Sequence, residues 1–549
     1  MRAVLESVVP SADVAVRYRE QGWWRDATFS DDLRTAALER PDDPILLTWR
    51  HQEQRLSSLS FAEFDARADA VAAALRELGV RRGDVVAHQL PAMWETAVLM
   101  VACLRAGAVL APVPLLFGPF EVERVLAATG AVVCVVPDEF DGVAYGRQLA
   151  EPAGRLPLLR HRIVIGDAAD SGAVSLRASF GGERPAPTPA EPLGPDEVCV
   201  LLLTSGTTGE TQFVARSANT LGVALTDWEP RPRTGELFGT TSGMGHSTGF
   251  RQVVRTLAQG VPTLFSDCRH PECWLRLIEE VGVTRLLWAA PRMLRSLIEE
   301  QRRRPRDLSS LKTVHSTAGP LYPEVLAEVR ATLCPVVLNS WGMTETGNLL
   351  STDPADPGHW AAQSLGRPHG SAQLRLDPVG GGAFRMHLRG PAVGLATIGR
   401  DSGTVTWSLE SDDGWLDTGD VVAPDGADGL RFVGRTAERI GDAWQIPVAD
   451  VERALLAHSV IEDAVLVPWA DGEGREVPCA AVISAAPLEL SELREHVARF
   501  GFHESCLPVR IERVTEFPRT DMGKVRRKVL LDQLRDRDRH ITESASAES

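Results

Sequence analysis

Several short stretches of this chain bring together side chains suited to phosphate chemistry. "TSGTTG", residues 204–209, follows directly on the apolar run "CVLLL" and offers Thr204, Ser205, Gly206, Thr207, Thr208 and Gly209. Glycines and hydroxyls at that density let backbone N–H groups and side chains converge on one anion, as a nucleotide's phosphates require. Alone, a Ser/Thr-rich surface turn accounts for the stretch equally well. "NSWGMTETG" sets an aromatic face, Trp341, beside Thr344 and Glu345: a flat surface for a base, a hydroxyl for a phosphate and a carboxylate for Mg²⁺. "GWLDTGD" supplies Asp420, able to accept both hydroxyls of a ribose or to act as a plain turn residue. "GRTAER" contributes Arg435, and "PRTDMGKVRRK" contributes Lys524 beside a glycine. "GMGHSTGF" contributes His246, for which a hydrogen-bonded core histidine is the competing reading.

Alternating strands and helices must position these groups. "SFAEFDARADAVAAALRELG" opens on a capping box, Ser60 with Glu63, and places Phe61, Phe64, Ala68, Val71, Ala72, Leu75 and Leu78 on one stripe before Gly79 ends it. Strands are predicted at "DVVAHQL", "GAVLAPV" and "AVVCVVP", with helices over about 93–105 and at "PFEVERVLAATG" between them. Such alternation implies a parallel sheet with helices on its faces. The pattern resumes after a Pro/Gly/Ala-rich loop near residues 180–195. Beyond the Gly/Asp turn "APDGADG" lies a smaller unit, in which "VADVERALLAHSVIEDAVLV" reads as helix then strand. The predicted organisation is therefore α/β: a large N-terminal domain, 1–434, of mixed and parallel sheets layered with helices, and a small α+β C-terminal domain, 435–535. The charged, Ser-rich tail, 536–549, is predicted to be disordered.

Bulk properties narrow the partners. A chain of 549 residues exceeds one hydrophobic core. Its net charge of −16, with no long basic stripe, disfavours nucleic acid and anionic lipid. Its apolar runs stop far short of the roughly 20 residues a membrane span needs, and the first residues carry no signal-like apolar segment, so a cytoplasmic, reduced setting is expected. "CRHPEC" groups Cys268, His270 and Cys273, but a fourth ligand at zinc-like spacing is missing, which leaves two free thiols as the expectation.

"TSGTTG", "STAGPL", "SWGMTETG", "GWLDTGD", "GRTAERI" and "PRTDMGK", in this order, resemble the motifs of the adenylate-forming superfamily: acyl-CoA synthetases, luciferases and peptide-synthetase adenylation domains. The resemblance runs from about residue 30 to 535. "HQLPAMWETAVLMVACLRAGAVLAPV" and "TSGTTGETQFVARSANT" are most similar to ligases of cyclic, aromatic or medium-chain acids. The resemblance implies that a carboxylate attacks the α-phosphate of MgATP, giving an acyl-adenylate and pyrophosphate. A thiol of CoA or of a carrier protein's phosphopantetheine then displaces AMP. Implied roles are phosphate binding by residues 204–209 and Thr344, Mg²⁺ binding by Glu345, and a border to the adenine from Gly319 and Trp341. Asp420 and Arg435 would take the ribose, His246 would lie beside the acyl pocket, and Lys524 would reach in from a mobile small domain. A homodimer is a family-level expectation, and a free α-amino acid is disfavoured because the stretch around His246 lacks the acidic residue used for amine recognition.

The chain also departs from the pattern. Thr211 and Gln212 stand where Pro and Lys are usual; a neutral amide in place of the ammonium forgoes about 1–2 kcal/mol of hold on the pyrophosphate. Ala437 replaces a polar hinge residue, and "GDAWQIPV" puts Asp442, Ala443 and Trp444 where a Gly-Gly loop lines the thiol tunnel. These changes favour two alternatives: the same adenylation followed by transfer to a nitrogen nucleophile (an amine, or diazo formation), and a nucleotide-binding homologue without catalysis.

Overall fold

The helix Phe61–Glu77 begins as its sequence dictates. Ser60 Oγ accepts from Glu63 N at 3.3 Å and Glu63 Oε2 accepts from Ser60 N at 2.9 Å, a reciprocal cap worth about 1 kcal/mol. Its stripe from Phe61 to Leu75 is buried, and so are Ala70, Ala73 and Ala74, because a second helix, Trp94–Ala106, packs against it. That second helix is apolar all round, as one enclosed on every side must be. Arg105, which ends the apolar run, is buried with it: its guanidinium meets Asp65 at 2.6 Å, Asp69 at 2.8 Å and Ser30 Oγ at 2.8 Å. Gly107 then turns the chain in the left-handed region at φ 77°, where a Cβ would sit 2.6 Å from the Glu191 carbonyl oxygen.

The computed structural model describes residues 1–549 except 167–171, 183–190, 205–210, 227–233, 320, 357, 363, 427, 436–439, 441–445, 447, 472–475, 501, 503, 521–522 and 548–549. Two large sheets carry the first four-fifths of the chain. One has nine strands, with Val109–Pro112, Val85–His88, Val133–Pro137 and His161–Ile165 running parallel at its centre. Val198–Thr204 joins parallel to Val109–Pro112, and from there the sheet turns antiparallel through Gln212–Ser217, Ala396–Gly399 and Val405–Ser408. The other has thirteen strands. Its parallel half ends at Val336–Met343, next to Thr313–Ser316; its antiparallel half starts at the very next strand, Gly347–Ser351, and continues through Ser364–Pro368, Gly429–Arg435 and Leu416–Asp425. The place where a parallel sheet changes hand opens a crevice at the strands' carboxyl ends, where ligands of α/β folds bind.

Residues beyond 440 build a third, three-stranded sheet, Ile461–Ala470, Glu476–Ser484 and Arg510–Arg513, with its own apolar clusters around Leu466 and Val482 on one face and Trp469 and Phe517 on the other. The predicted helix and strand of this unit are present at Val448–Leu456 and Ile461–Ala470. The last helix, Arg527–Ala547, takes in most of the segment for which composition predicts disorder. Its start is anchored by buried Leu530 and Leu534 and by Arg527 on Glu452 at 2.6 Å. No helix among the described residues is long and apolar enough to cross a membrane.

Candidate active site

The candidate site is built around Asp420. It lies on Leu416–Asp425, directly opposite Arg435 in the antiparallel ladder, and is only 1 % exposed. Trp341 Nε1 donates to its Oδ2 at 2.7 Å, and Arg435 Nε lies 2.8 Å from its Oδ1. Backbone position is fixed from below: Thr418 Oγ1 accepts from Asp420 N at 3.1 Å and donates to Met386 O at 2.7 Å. Trp341 arrives on the last parallel strand and Asp420 on an antiparallel one, so the change of hand itself brings them together.

Three residues past Trp341, the turn between Val336–Met343 and Gly347–Ser351 carries half-buried Thr344 and buried Glu345. The turn is tight: a Cβ on Gly342 would lie 2.3 Å from Gly347 O and 2.6 Å from Asn348 Oδ1, so no other residue fits there. Among the described residues Glu345 makes no ion pair within 4 Å. Burial pushes its carboxyl above the usual carboxylate range, opposed by the charges of Arg435 and Arg216 and reinforced by that of Asp420.

Arg216 is a residue the motifs do not reveal. It lies in the strand Gln212–Ser217 and is completely buried. Its guanidinium donates to three carbonyls, Thr344 at 2.9 Å, Ala392 at 2.7 Å and Thr220 at 2.5 Å, and to Thr220 Oγ1 at 3.2 Å. Desolvation lowers its pKa to about 10. It thereby ties the Thr344 turn of one sheet to an interior strand of the other, with its charge close to Glu345. A lone arginine inside the apolar run "QFVARS" was the available signal, since a strand buried along its whole length takes a charge only with a purpose-built set of partners.

A second buried cation, Arg251, stands on the helix Ser247–Gln259 that His246 caps. Its side chain is 3 % exposed. Nη1 donates to Asn348 Oδ1 at 3.4 Å, while Nε and Nη2 are buried and make no hydrogen bond. Burial, with Arg216 and Arg255 nearby, lowers its pKa to about 9. His246 is half-buried at the start of this helix, its backbone N–H bonded to Gly243 O at 3.0 Å.

The remaining expected residues stand as follows. Thr204 is half-buried at the end of Val198–Thr204; Ser205, Gly206, Thr207, Thr208 and Gly209 lie outside the described residues, as do Ala437, Asp442, Ala443 and Trp444. Gly319 is exposed just past Thr313–Ser316, with Pro291 as its nearest neighbour. Gln212 is paired with Thr204 in the ladder and 7 % exposed, and its amide donates to Thr406 Oγ1 at 3.3 Å. Lys524 is exposed on a turn closed by Thr520, whose N–H bonds Lys524 O at 2.8 Å. Arg519 braces that turn, donating to Gly523 O at 2.5 Å and pairing with Asp463. Burial lowers the Arg519 pKa, opposed by the charge of Asp463 and reinforced by that of Arg292. Away from the crevice, His51, Cys268 and Cys273 each bring a ligand atom within 4.8 Å of the others, and His51 Nδ1 is buried without a hydrogen bond. The third partner comes from the turn after the strand Pro44–Arg50, more than 200 residues earlier in the chain, beyond the reach of spacing rules.

The profile of the AMP-binding enzyme family matches residues 33–393, and the chain belongs to that family. It is therefore one of the adenylate-forming enzymes. It is 32 % identical to a salicyl-AMP ligase / salicyl-S-ArCP synthetase of Mycobacterium tuberculosis, over 95 % of this chain and 94 % of the relative. It is 31 % identical to a 2-hydroxy-7-methoxy-5-methyl-1-naphthoate–CoA ligase of Streptomyces carzinostaticus, over 94 % and 95 % of the two chains. The fold superposes on an anthranilate CoA ligase in complex with anthranoyl-AMP with a TM-score of 0.80 at 21 % identity, covering 92 % of this chain and 97 % of that one.

Proposed function

We propose that this enzyme activates an aryl, alicyclic or medium-chain carboxylic acid with MgATP and passes the acyl group to a thiol of CoA or of a carrier protein. In the first step a carboxylate oxygen bonds to the α-phosphorus while the bond from that phosphorus to the oxygen bridging to the β-phosphorus breaks, releasing pyrophosphate. In the second, the thiol sulfur attacks the acyl carbon, loses its proton, and AMP departs. Little covalent chemistry falls to the protein, which must align the reactants and offset charge. The reading rests above all on the Trp341–Asp420–Arg435 group beside buried Glu345.

In this reading Asp420 accepts the ribose hydroxyls. Its two oxygens have about four acceptor sites, enough for Trp341, Arg435 and a sugar together. Arg435 orients that carboxylate, Gly319 and Trp341 border the base, and Thr344 and residues 204–209 bind phosphate. The residues fit a divalent cation: Glu345 is a buried hard oxygen donor that makes no ion pair among the described residues. Glu345 would hold Mg²⁺, which when bound neutralises charge on the phosphates. Lys524 brings an ammonium to the carboxylate and α-phosphate, and His246 lines the acyl side. The acceptor assignment follows the named activities of the relatives, both of which form thioesters.

The test is pyrophosphate release across a panel of aryl, alicyclic and medium-chain acids, with mass spectrometry of the products when CoA, a pantetheinylated carrier or an amine is supplied. Thioester product is expected; amide product assigns the acceptor to nitrogen, and ATP binding without pyrophosphate from any acid leaves only a nucleotide-binding role. Lys524→Ala should abolish adenylate formation while leaving ATP affinity nearly intact, and full turnover by that variant would remove Lys524 from the reaction.

A further inference from the structure

The hairpin that bears Thr344 and Glu345 meets Arg216 at the Thr344 carbonyl and Arg251 at Gly347 and Asn348, and the two arginines are used differently. Arg216 spends its donors on the carbonyls of Thr220, Thr344 and Ala392. Arg255, on the same helix as Arg251, donates Nε to Gln259 at 2.8 Å and lies over the Phe238 ring at 5.2 Å. Among the described residues Arg251 has one contact of this kind, Nη1 to Asn348 Oδ1 at 3.4 Å, and forms no ion pair. Its guanidinium packs against the hairpin at Gly347, where a Cβ would come within 2.6 Å of Cζ. Gly347 is kept open by the arginine rather than by its own turn alone.

Nε and Nη2, the two nitrogens without partners, form one side of the guanidinium fork, the edge that receives a carboxylate through two parallel hydrogen bonds. The one bonded nitrogen, Nη1, is the one such an arrangement leaves for a structural contact. The charged groups around Arg251 do not compensate it: Arg216 and Arg255 carry the same sign, and the acid on the adjoining turn, Glu345, faces Arg216 and Arg435. A buried cation with its bidentate edge unmade is an incomplete site, and it stands beside the turn that bears Thr344 and Glu345, on the helix that His246 caps.

We propose that Arg251 is the anion-recognising residue of the acyl pocket, so that the acid this enzyme activates carries a second anionic group, a carboxylate, which Arg251 binds through Nε and Nη2. This rests on the acid-ligase reading above. The dianion's distal carboxylate supplies the counter-charge the protein itself withholds, and its reacting carboxylate is left to meet the α-phosphate. A neutral acid of the same shape enters a pocket whose cation stays unpaired, which penalises it in KM rather than in kcat.

The experiment compares matched acids: phthalate, isophthalate and terephthalate against benzoate and the methylbenzoates, and glutarate and adipate against pentanoate and hexanoate. Pyrophosphate release gives kcat and KM; calorimetry gives binding of each acid without turnover. Wild type should favour at least one dicarboxylate over its neutral counterpart by about tenfold or more in KM, and Arg251→Met should erase or invert that ratio while Arg251→Lys keeps part of it. Preference for the neutral member in both series, or a ratio unchanged in Arg251→Met, overturns the proposal, as does failure of every dicarboxylate both to bind and to turn over. If Arg251→Met does not fold, the wild-type comparison together with Arg251→Lys decides the matter. The two readings fail separately: neutral acids turning over while dicarboxylates do not bind refutes the anion site alone, whereas Arg251-dependent binding of dicarboxylates without pyrophosphate from any acid refutes the ligase reading alone.

Discussion

Trp341 donates its indole N–H to Asp420 across 2.7 Å, from the last parallel strand to an antiparallel strand of the same thirteen-stranded sheet. The indole is thus a hydrogen-bond donor to a buried carboxylate as well as a flat wall. Trp341→Phe keeps the wall and deletes the donor, and should cost about 1–3 kcal/mol of stability while weakening ATP binding through a less constrained Asp420. Thermal melting and nucleotide titration measure both effects; unchanged ATP affinity would separate Asp420 from the nucleotide.

Glu345 predicts a pH dependence with a definite sign. Its folded-state pKa is raised above 4.5, so between that value and the raised one the native state binds more protons than the unfolded state. Stability of the ligand-free enzyme should fall as pH rises through that window, and the deficit should persist above it. Glu345→Gln should flatten this segment of the profile and raise the melting temperature at neutral pH without ligand. The same variant should lose about a hundredfold or more of acid-activation rate, together with the stabilisation that MgATP gives wild type. A variant less stable than wild type at neutral pH would contradict the assignment of the buried charge.

Arg216 joins the two large sheets through the Thr344 carbonyl. Arg216→Met removes the donor for three carbonyls at once and should destabilise by about 3–5 kcal/mol. Arg216→Lys, with one ammonium for the same set, should fall between the two. Denaturant unfolding reads the loss, and a rise in KM for ATP in Arg216→Lys would report movement of the Thr344 turn.

Gln212 invites the substitution that would restore a lysine. Its amide, however, is buried and bonded to Thr406, on the far side of the strand Ala396–Gly399. Gln212→Lys should therefore lower stability by about 1–3 kcal/mol without lowering KM for ATP. A tenfold fall in KM would show that the side chain reaches the phosphates after all.

What could be read from sequence divides along physical lines. The Ser60–Glu63 cap, the stripe it starts and the strand–helix alternation depend on residues a few positions apart, and all three are present in the fold. The crevice was legible only because its parts sit in ordered motifs. What escaped depends on pairing between distant segments. Gln212 turns toward Thr406 because its strand pairs with Ala396–Gly399, and His51 reaches Cys268 and Cys273 because Pro44–Arg50 runs beside Thr263–Ser266. Arg216 is marked in one dimension only by the apolar run around it and Arg251 by nothing at all; three-dimensional burial shows both to be enclosed.

One short hairpin, Val336–Ser351, meets Asp420 through Trp341 at one end and Arg251 through Gly347 and Asn348 at the other. Descendants of this enzyme could therefore exchange the fuel they accept by altering the helix at residues 247–259, while the apparatus that handles the nucleotide is inherited untouched.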